Sequence, residues 1–131
     1  MANRAADWLR QADADLEHAR HSLSAGHHEW ACFAAQQAGE KAVKGAHARL
    51  GQEAWGHSIT ELFEALRQIV PSVSDRLLDR ARALDKLYIA TRYPNGLPAG
   101  APADYFTREE AERAISQAEE IVAFCRGVLS G

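Results

Sequence analysis

Apolar residues recur at intervals of three and four along most of the chain, while helix-breaking residues are confined to a few short stretches. That pairing makes helices the natural regular structure. From Asn3 to about Ser24, the residues Ala5, Trp8, Leu9, Ala12, Leu16, Ala19 and Leu23 form one stripe, with Arg, Asp, Glu and His on the other face. After Gly26 a second helix is predicted from about His28 to Leu50. It carries large Trp30 and Phe33 and a small stripe of Ala31, Ala35, Ala38, Ala42 and Ala46 that lets another helix axis approach closely. Gly51 ends it, because glycine takes positive φ readily just beyond a helix.

His57 precedes Ser58-Ile59-Thr60-Glu61, in which the Ser hydroxyl can accept the third helical N–H and Glu61 can reach back, the pattern of a capping box. A third helix with Ile59, Leu62, Phe63 and Leu66 starts there and must stop near Val70, before Pro71. The fourth is predicted over about Ser74 to Ala90 on Leu77, Leu78, Ala81, Leu84, Leu87 and Tyr88. Thr91 to Asp104 holds three of the four prolines and two glycines and reads as the one long loop. Thr107 to Glu110 repeats the capping pattern and opens a last helix on Ala111, Ala114, Ile115, Ala118, Ile121, Val122 and Cys125. No strand is needed. The expectation is an all-α fold, an antiparallel up-and-down bundle of about five helices, with residues 1–131 forming one domain around one core.

With 47% hydrophobic and 25% charged residues the composition is that of an ordinary globular protein, and a formal charge of −3 with pI near 6.0 provides no global basic field. No apolar run of spanning length occurs, and Met1-Ala2-Asn3-Arg4 does not open a targeting stretch. Cys32 and Cys125 fall on different predicted helices, so a reduced, cytoplasmic protein is expected.

Three groups of residues can carry chemistry. Gln37, Lys41 and Lys44 share a face of the second helix, with Glu40 four residues before Lys44. Two ammonium groups and an amide there can hold a phosphate and read a base or ribose; equally, this is a solvated face whose Glu-to-Lys pair contributes about 0.3–0.5 kcal/mol. Asp85, Tyr88 and Arg92 lie at i, i+3 and i+7, followed by Tyr93. They project from one side if the helix persists, and Arg with Tyr then offers phosphate donors beside a stacking face. The alternative is a helix C-terminus whose Arg suits the dipole and whose tyrosines cover the core. His57 can be an acid/base group or simply part of a turn, and Trp55 beside it can pack as a lid but is expected rather to close the core. His18, His21, His27, His28 and His47 are expected at the surface, and although His18 and His21 stand at i, i+3, no partners at matching spacing suggest a metal.

Glu-x-x-His, the phosphate-binding glycine loops, Cys-x-x-Cys and Gly-x-Ser-x-Gly are all absent, so no familiar cofactor or nucleophile machinery is implied. A helix-turn-helix reading of helices three and four fits poorly, since the fourth is richly apolar and carries Asp75, Asp79 and Asp85.

Cys32 to Lys41, then Gly56-His57-Ser58 with Leu62, then Leu84-Asp85 and Tyr88 to Pro94, resemble the stand-alone prokaryotic HEPN domain family in order and spacing. The Trp8 to Leu16 opening and the Ala-rich last helix extend the resemblance over essentially the whole chain. It implies a bundle similar to the helical domain of kanamycin nucleotidyltransferase and a homodimer. It also implies binding of a nucleotide such as ATP, alone or at the active site of a minimal nucleotidyltransferase encoded beside it, in a toxin-antitoxin-like pair. Gln37, Glu40, Lys41, His57, Asp85, Tyr88, Arg92, Tyr93 and Pro94 match the family pattern, while Ala90 stands for a frequent Pro and Gly39 for a frequent Ala. Many relatives are metal-independent ribonucleases in which four to six residues separate an Arg from a following His. Arg92 has no such His, and the chain's match is Arg20 with His27, so the reading leans against catalysis. Three functions follow as expectations: a nucleotide- or nucleotidyltransferase-binding module using Lys41, Lys44, Arg92 and Tyr93; a ribonuclease using Arg92 and His57; or a dimeric scaffold without ligand.

Overall fold

The computed structural model describes residues 3–131, and among them every regular element is helical. Helix α1 spans Ala5–Ala25, α2 His28–Arg49, α3 Ile59–Arg67, α4 Asp75–Asp85, α5 Leu87–Ala90, α6 Pro102–Tyr105 and α7 Arg108–Ser130. The predicted fourth helix is broken at Lys86 into α4 and the single turn α5, and α3 ends at Arg67, three residues before Val70. The proline-rich loop contains a 3₁₀ turn, Pro94–Gly96, and the one-turn α6, each with proline near its start, where the missing N–H costs nothing.

Local chemistry sets the helix ends. At Gly26, φ is 82° and its N–H bonds back to Leu23 O, closing α1. Ser58 accepts from Glu61 N and Ser74 from Leu77 N, capping α3 and α4. Thr107 and Glu110 form the complete reciprocal box at the start of α7. At α3 only half of the predicted box forms: Asp85 from the end of α4, rather than Glu61, takes the neighbouring N–H groups of Ile59 and Thr60, at 2.8 and 3.0 Å.

Helix α2 is the central element, packed along its length on α1 and α7. Its alanine stripe, Ala31, Ala35, Ala38, Ala42 and Ala46, is fully buried, so the axes of its neighbours come close. The seven apolar residues predicted for α7 are all buried, and Phe63, Ile59, Leu66, Leu84 and Ile121 are the largest side chains completely removed from water. Each such side chain contributes about 1.5–3 kcal/mol. Ion pairs between Asp13 and Arg126 and between Arg20 and Glu119 set α1 and α7 antiparallel. Helices α2 and α7 run the same way, since Arg49 at the end of α2 reaches the carbonyls of Leu129 and Gly131. This is possible because residues 50–58 carry the chain back from the end of α2 to its middle. There Gly39 leaves room for Leu84 and Ile59, whose δ-carbons would stand 3.0 and 3.2 Å from an added Cβ.

Two side-chain expectations are corrected. Trp55 is 82% exposed rather than in the core, because the returning segment lies outside the packed helices and Gly56 at φ 92° turns it toward α3. His47 is 3% exposed rather than at the surface; its Nε2 donates to Leu62 O at 2.8 Å and its Nδ1 lies 2.9 Å from Gln52 Oε1, tying α2 to α3. No described helix is long and apolar enough to cross a membrane.

Candidate functional site

The return of residues 50–58 sets His57 against the middle of α2. Its Nδ1 lies 3.1 Å from Glu40 Oε2, so the Nδ1–H donates to the carboxylate, while Nε2 of the half-exposed ring has no hydrogen-bond partner among the described residues. Glu40 is only 4% exposed. Its other partners are Lys44 Nζ at 3.1 Å and Gln36 Nε2 at 3.2 Å, and Gln36 in turn accepts from Gln37 Nε2 at 2.8 Å. The Glu40–Lys44 pair is therefore not the solvated surface pair anticipated: both side chains are largely buried, at 5% and 12% exposure.

Above this dyad stands an aromatic cluster. The rings of His57 and Tyr88 stack with centroids 4.6 Å apart and planes 18° from parallel, and Tyr88 lies 6.3 Å from Phe33, which meets Trp30 edge-on at 6.0 Å. The Arg92 guanidinium carbon lies 4.3, 4.7 and 5.2 Å from the rings of Phe33, Tyr88 and Tyr93. Helix α5 ends just before it, and Arg92 Nε and Nη2 both donate to the Tyr88 carbonyl, at 2.9 and 2.6 Å. These bonds cap the helix end and hold the guanidinium plane among the rings, leaving its Nη1 donors without a hydrogen bond among the described residues.

The sequence-predicted residues divide into three sets. Glu40, His57, Tyr88, Arg92 and Tyr93 come together. Asp85, the last residue of α4, turns its carboxylate to the start of α3, where it accepts from Ile59 N, Thr60 N, Ser58 Oγ and, at 2.6 Å, Thr60 Oγ1. Lys41 turns toward α1 and pairs with Asp15 at 2.7 Å, while Lys44 bridges Glu40 and the Trp8 ring, 5.8 Å from its centroid. Gln37 braces Gln36. Sequence reasoning misses Phe33 and Gln36. Trp30, Phe33, Gln37, Lys41 and Lys44 follow one another at steps of three and four, a stripe that could place Phe33 beside the polar candidates, but a large aromatic ring on a helix reads first as core. Gln36 gives no such sign, since its position predicts burial and only the buried carboxylate explains an amide there.

The model of the HEPN domain matches residues 5–128. The chain belongs to the HEPN domain family. Three crystal structures are similar to this HEPN chain throughout. A protein from Thermus thermophilus is 52% identical, with 98% of this chain and 100% of that one covered and a TM-score of 0.94. An archaeal HEPN homologue is 39% identical over 98% and 99% of the two chains, with a TM-score of 0.82. A HEPN domain protein from Thermotoga maritima is 40% identical over 95% and 98%, with a TM-score of 0.76. Comparison with curated proteins gives no match.

Proposed function

We propose that this HEPN chain binds a nucleotide at the cluster of Phe33, His57, Tyr88, Arg92 and Tyr93. One observation carries the reading: a guanidinium held 4.3–5.2 Å from three rings, with its outer donors unspent. An aromatic platform takes a base face and a preorganised guanidinium takes a phosphate, so the pair suits a molecule that has both. Tyr93, at 49% exposure, is open to a ligand. The same reading has the protein act as a homodimer or against a minimal nucleotidyltransferase in a toxin-antitoxin-like pair, with Trp30, Ile89 and Tyr93, all about half exposed, as the contact surface beside the site.

The test is thermal denaturation against nucleoside mono-, di- and triphosphates. At 100 times its Kd a ligand adds about 2.7 kcal/mol, or about 10 °C for a chain of this size. Arg92→Gln should reduce the shift while leaving the unliganded melting temperature within a few degrees; a shift unchanged by Arg92→Gln refutes the assignment.

A second reading rests on the Glu40–His57 pair. A histidine oriented by a buried carboxylate, with Nε2 unpartnered among the described residues and an Arg on the same Tyr88 ring, has the parts for metal-independent RNA cleavage. His57 Nε2 would take the proton of a ribose 2′-hydroxyl as that oxygen attacks the adjacent phosphorus; the P–O5′ bond breaks, the 5′-oxygen leaves with a proton from water, a 2′,3′-cyclic phosphate remains, and Arg92 would offset the charge gathered on phosphate. The His that the sequence lacks downstream of Arg92 would then be supplied in space by His57. RNA left intact by the pure protein in a chelating buffer rules this out; cleavage lost in His57→Ala supports it.

A further inference from the structure

Lys41 does not belong to the Arg92 cluster, and what surrounds it forms a site of its own. Between α1 and α2 lies an open cleft of about 580 Å³ lined chiefly by Arg4, Asp7, Trp8, Arg10, Gln11 and Lys41. That volume lies in the range of small-ligand sites. Three of the lining residues are cations, facing the carboxylates of Asp7 and, beneath Lys41, Asp15, so the cleft keeps an excess of one positive charge in a chain whose formal charge is −3.

The lining is held in place from below. Asp15 accepts from Lys41 Nζ at 2.7 Å and from Gln11 Nε2 at 3.0 Å, presenting an ammonium and an amide side by side. Asp7 holds Arg4 at 2.6 Å and Arg10 at 3.5 Å. Trp8 packs closely on α2 at Gly45: an added Cβ there would stand 3.1 Å from Trp8 Cβ and 3.3 Å from the Ala5 carbonyl, so a larger residue would push α1 away by a few tenths of an ångström. Trp8 is left partly exposed as a wall of the cleft.

A planar π face beside guanidinium, ammonium and amide groups selects a ligand that is both aromatic and anionic. We infer that the Trp8 cleft is a second nucleotide subsite, in which a base stacks on Trp8 and a phosphate meets Lys41 and the Arg4–Arg10 pair. The choice of a nucleotide over other aromatic anions rests on the reading of the Arg92 cluster given above. A relay of side chains on α2 links the two sites: Lys44 lies 5.8 Å from the Trp8 centroid and 3.1 Å from Glu40, which lies 3.1 Å from His57. The cleft therefore takes either a separate mononucleotide or the second unit of a linear dinucleotide.

Isothermal titration calorimetry of the full chain with adenosine monophosphate, and separately with the dinucleotide adenylyl-adenosine, tests this. The wild type should bind two monophosphates per chain. Trp8→Leu and Lys41→Gln should each weaken one of them about tenfold or more and leave the other unchanged; Trp8→Phe should restore stacking. Arg92→Gln should remove the other molecule. Dinucleotide binding once per chain and more tightly than monophosphate, with the gain lost in Trp8→Leu, supports the joined form; two independent monophosphates support the separate form. If Trp8→Leu and Lys41→Gln leave every affinity and stoichiometry unchanged while Arg92→Gln abolishes binding, the subsite is refuted and the first site stands. One bound nucleotide that survives Arg92→Gln but not Trp8→Leu refutes the first site and keeps this one. Absence of binding by either compound at millimolar concentration overturns both. Circular dichroism melts of the variants distinguish lost binding from lost fold, and if Trp8→Leu does not fold, Lys41→Gln decides alone.

Discussion

Glu40 carries one charge at 4% exposure and meets donors from three side chains, Gln36, Lys44 and His57. Desolvating a carboxylate is costly, and the cost is offset here by the Lys44 ammonium at 3.1 Å and by hydrogen bonds to the remaining lone pairs. Lys44→Met leaves the buried charge without its permanent counterion and should lower stability by about 3 kcal/mol in urea unfolding at pH 7. Adding Glu40→Gln in the same chain should recover much of that loss, because the charge that needed a partner is gone. A double variant no more stable than Lys44→Met would mean that the lysine acts through packing on Trp8 rather than through charge.

The α4–α5 segment decides which side chains reach the site. Lys86 keeps right-handed helical dihedrals between the two helices, so Asp85 meets the first turn of α3 while Tyr88 meets His57, just before that turn, and Arg92 meets Phe33. Asp85 thus joins two helices through two backbone N–H bonds and two hydroxyl bonds, from Ser58 and Thr60, at the positive end of α3. Replacing it by alanine should cost about 2 kcal/mol, the upper range for a lost cap, measured by chemical denaturation. Since His57 immediately precedes that turn, hydrogen exchange in residues 56–61 should speed up more than in α7. Equal acceleration throughout would show that Asp85 supports the fold globally rather than this junction.

Across the whole molecule, both cysteines are removed from water on the two central helices. Burial, then the negative Glu110 and Glu29, pushes the Cys32 thiol up from 9.0 to about 12, and burial alone pushes Cys125 higher still. In the folded state the thiols stay protonated where the unfolded chain has lost those protons. Stability is therefore unaffected by them below about pH 9 and falls as pH rises from about 9 toward 12, by up to about 1.4 kcal/mol per pH unit for each thiol. Cys32→Ala should make that alkaline decline shallower, read from urea midpoints at pH 8 and pH 10.5; an identical slope would mean other groups control it. A thiol reagent should label neither cysteine until the chain is unfolded, because both are fully buried.

The all-helical fold was legible from residues 3 to 130 because helix formation and apolar periodicity are local: the stripes of α1, α2 and α7, the Ser58 and Thr107 caps and the Gly26 and Gly51 breaks each depend on neighbours within one or two turns. Candidate residues were legible in the same way, as polar or aromatic side chains on outward helical positions. Their grouping was not. Whether Lys41 faces Arg92 or Trp8, whether Asp85 lines a site or caps a helix, and whether His57 meets a carboxylate all depend on packing between elements far apart in sequence, Gly39 against Leu84 and Ile59 and Gly45 against Trp8 among them. The sequence by itself determined the helices and the chemistry they display; only the tertiary structure decided which of those groups stand close enough to act together, because that distance is set by the core and not by the chain.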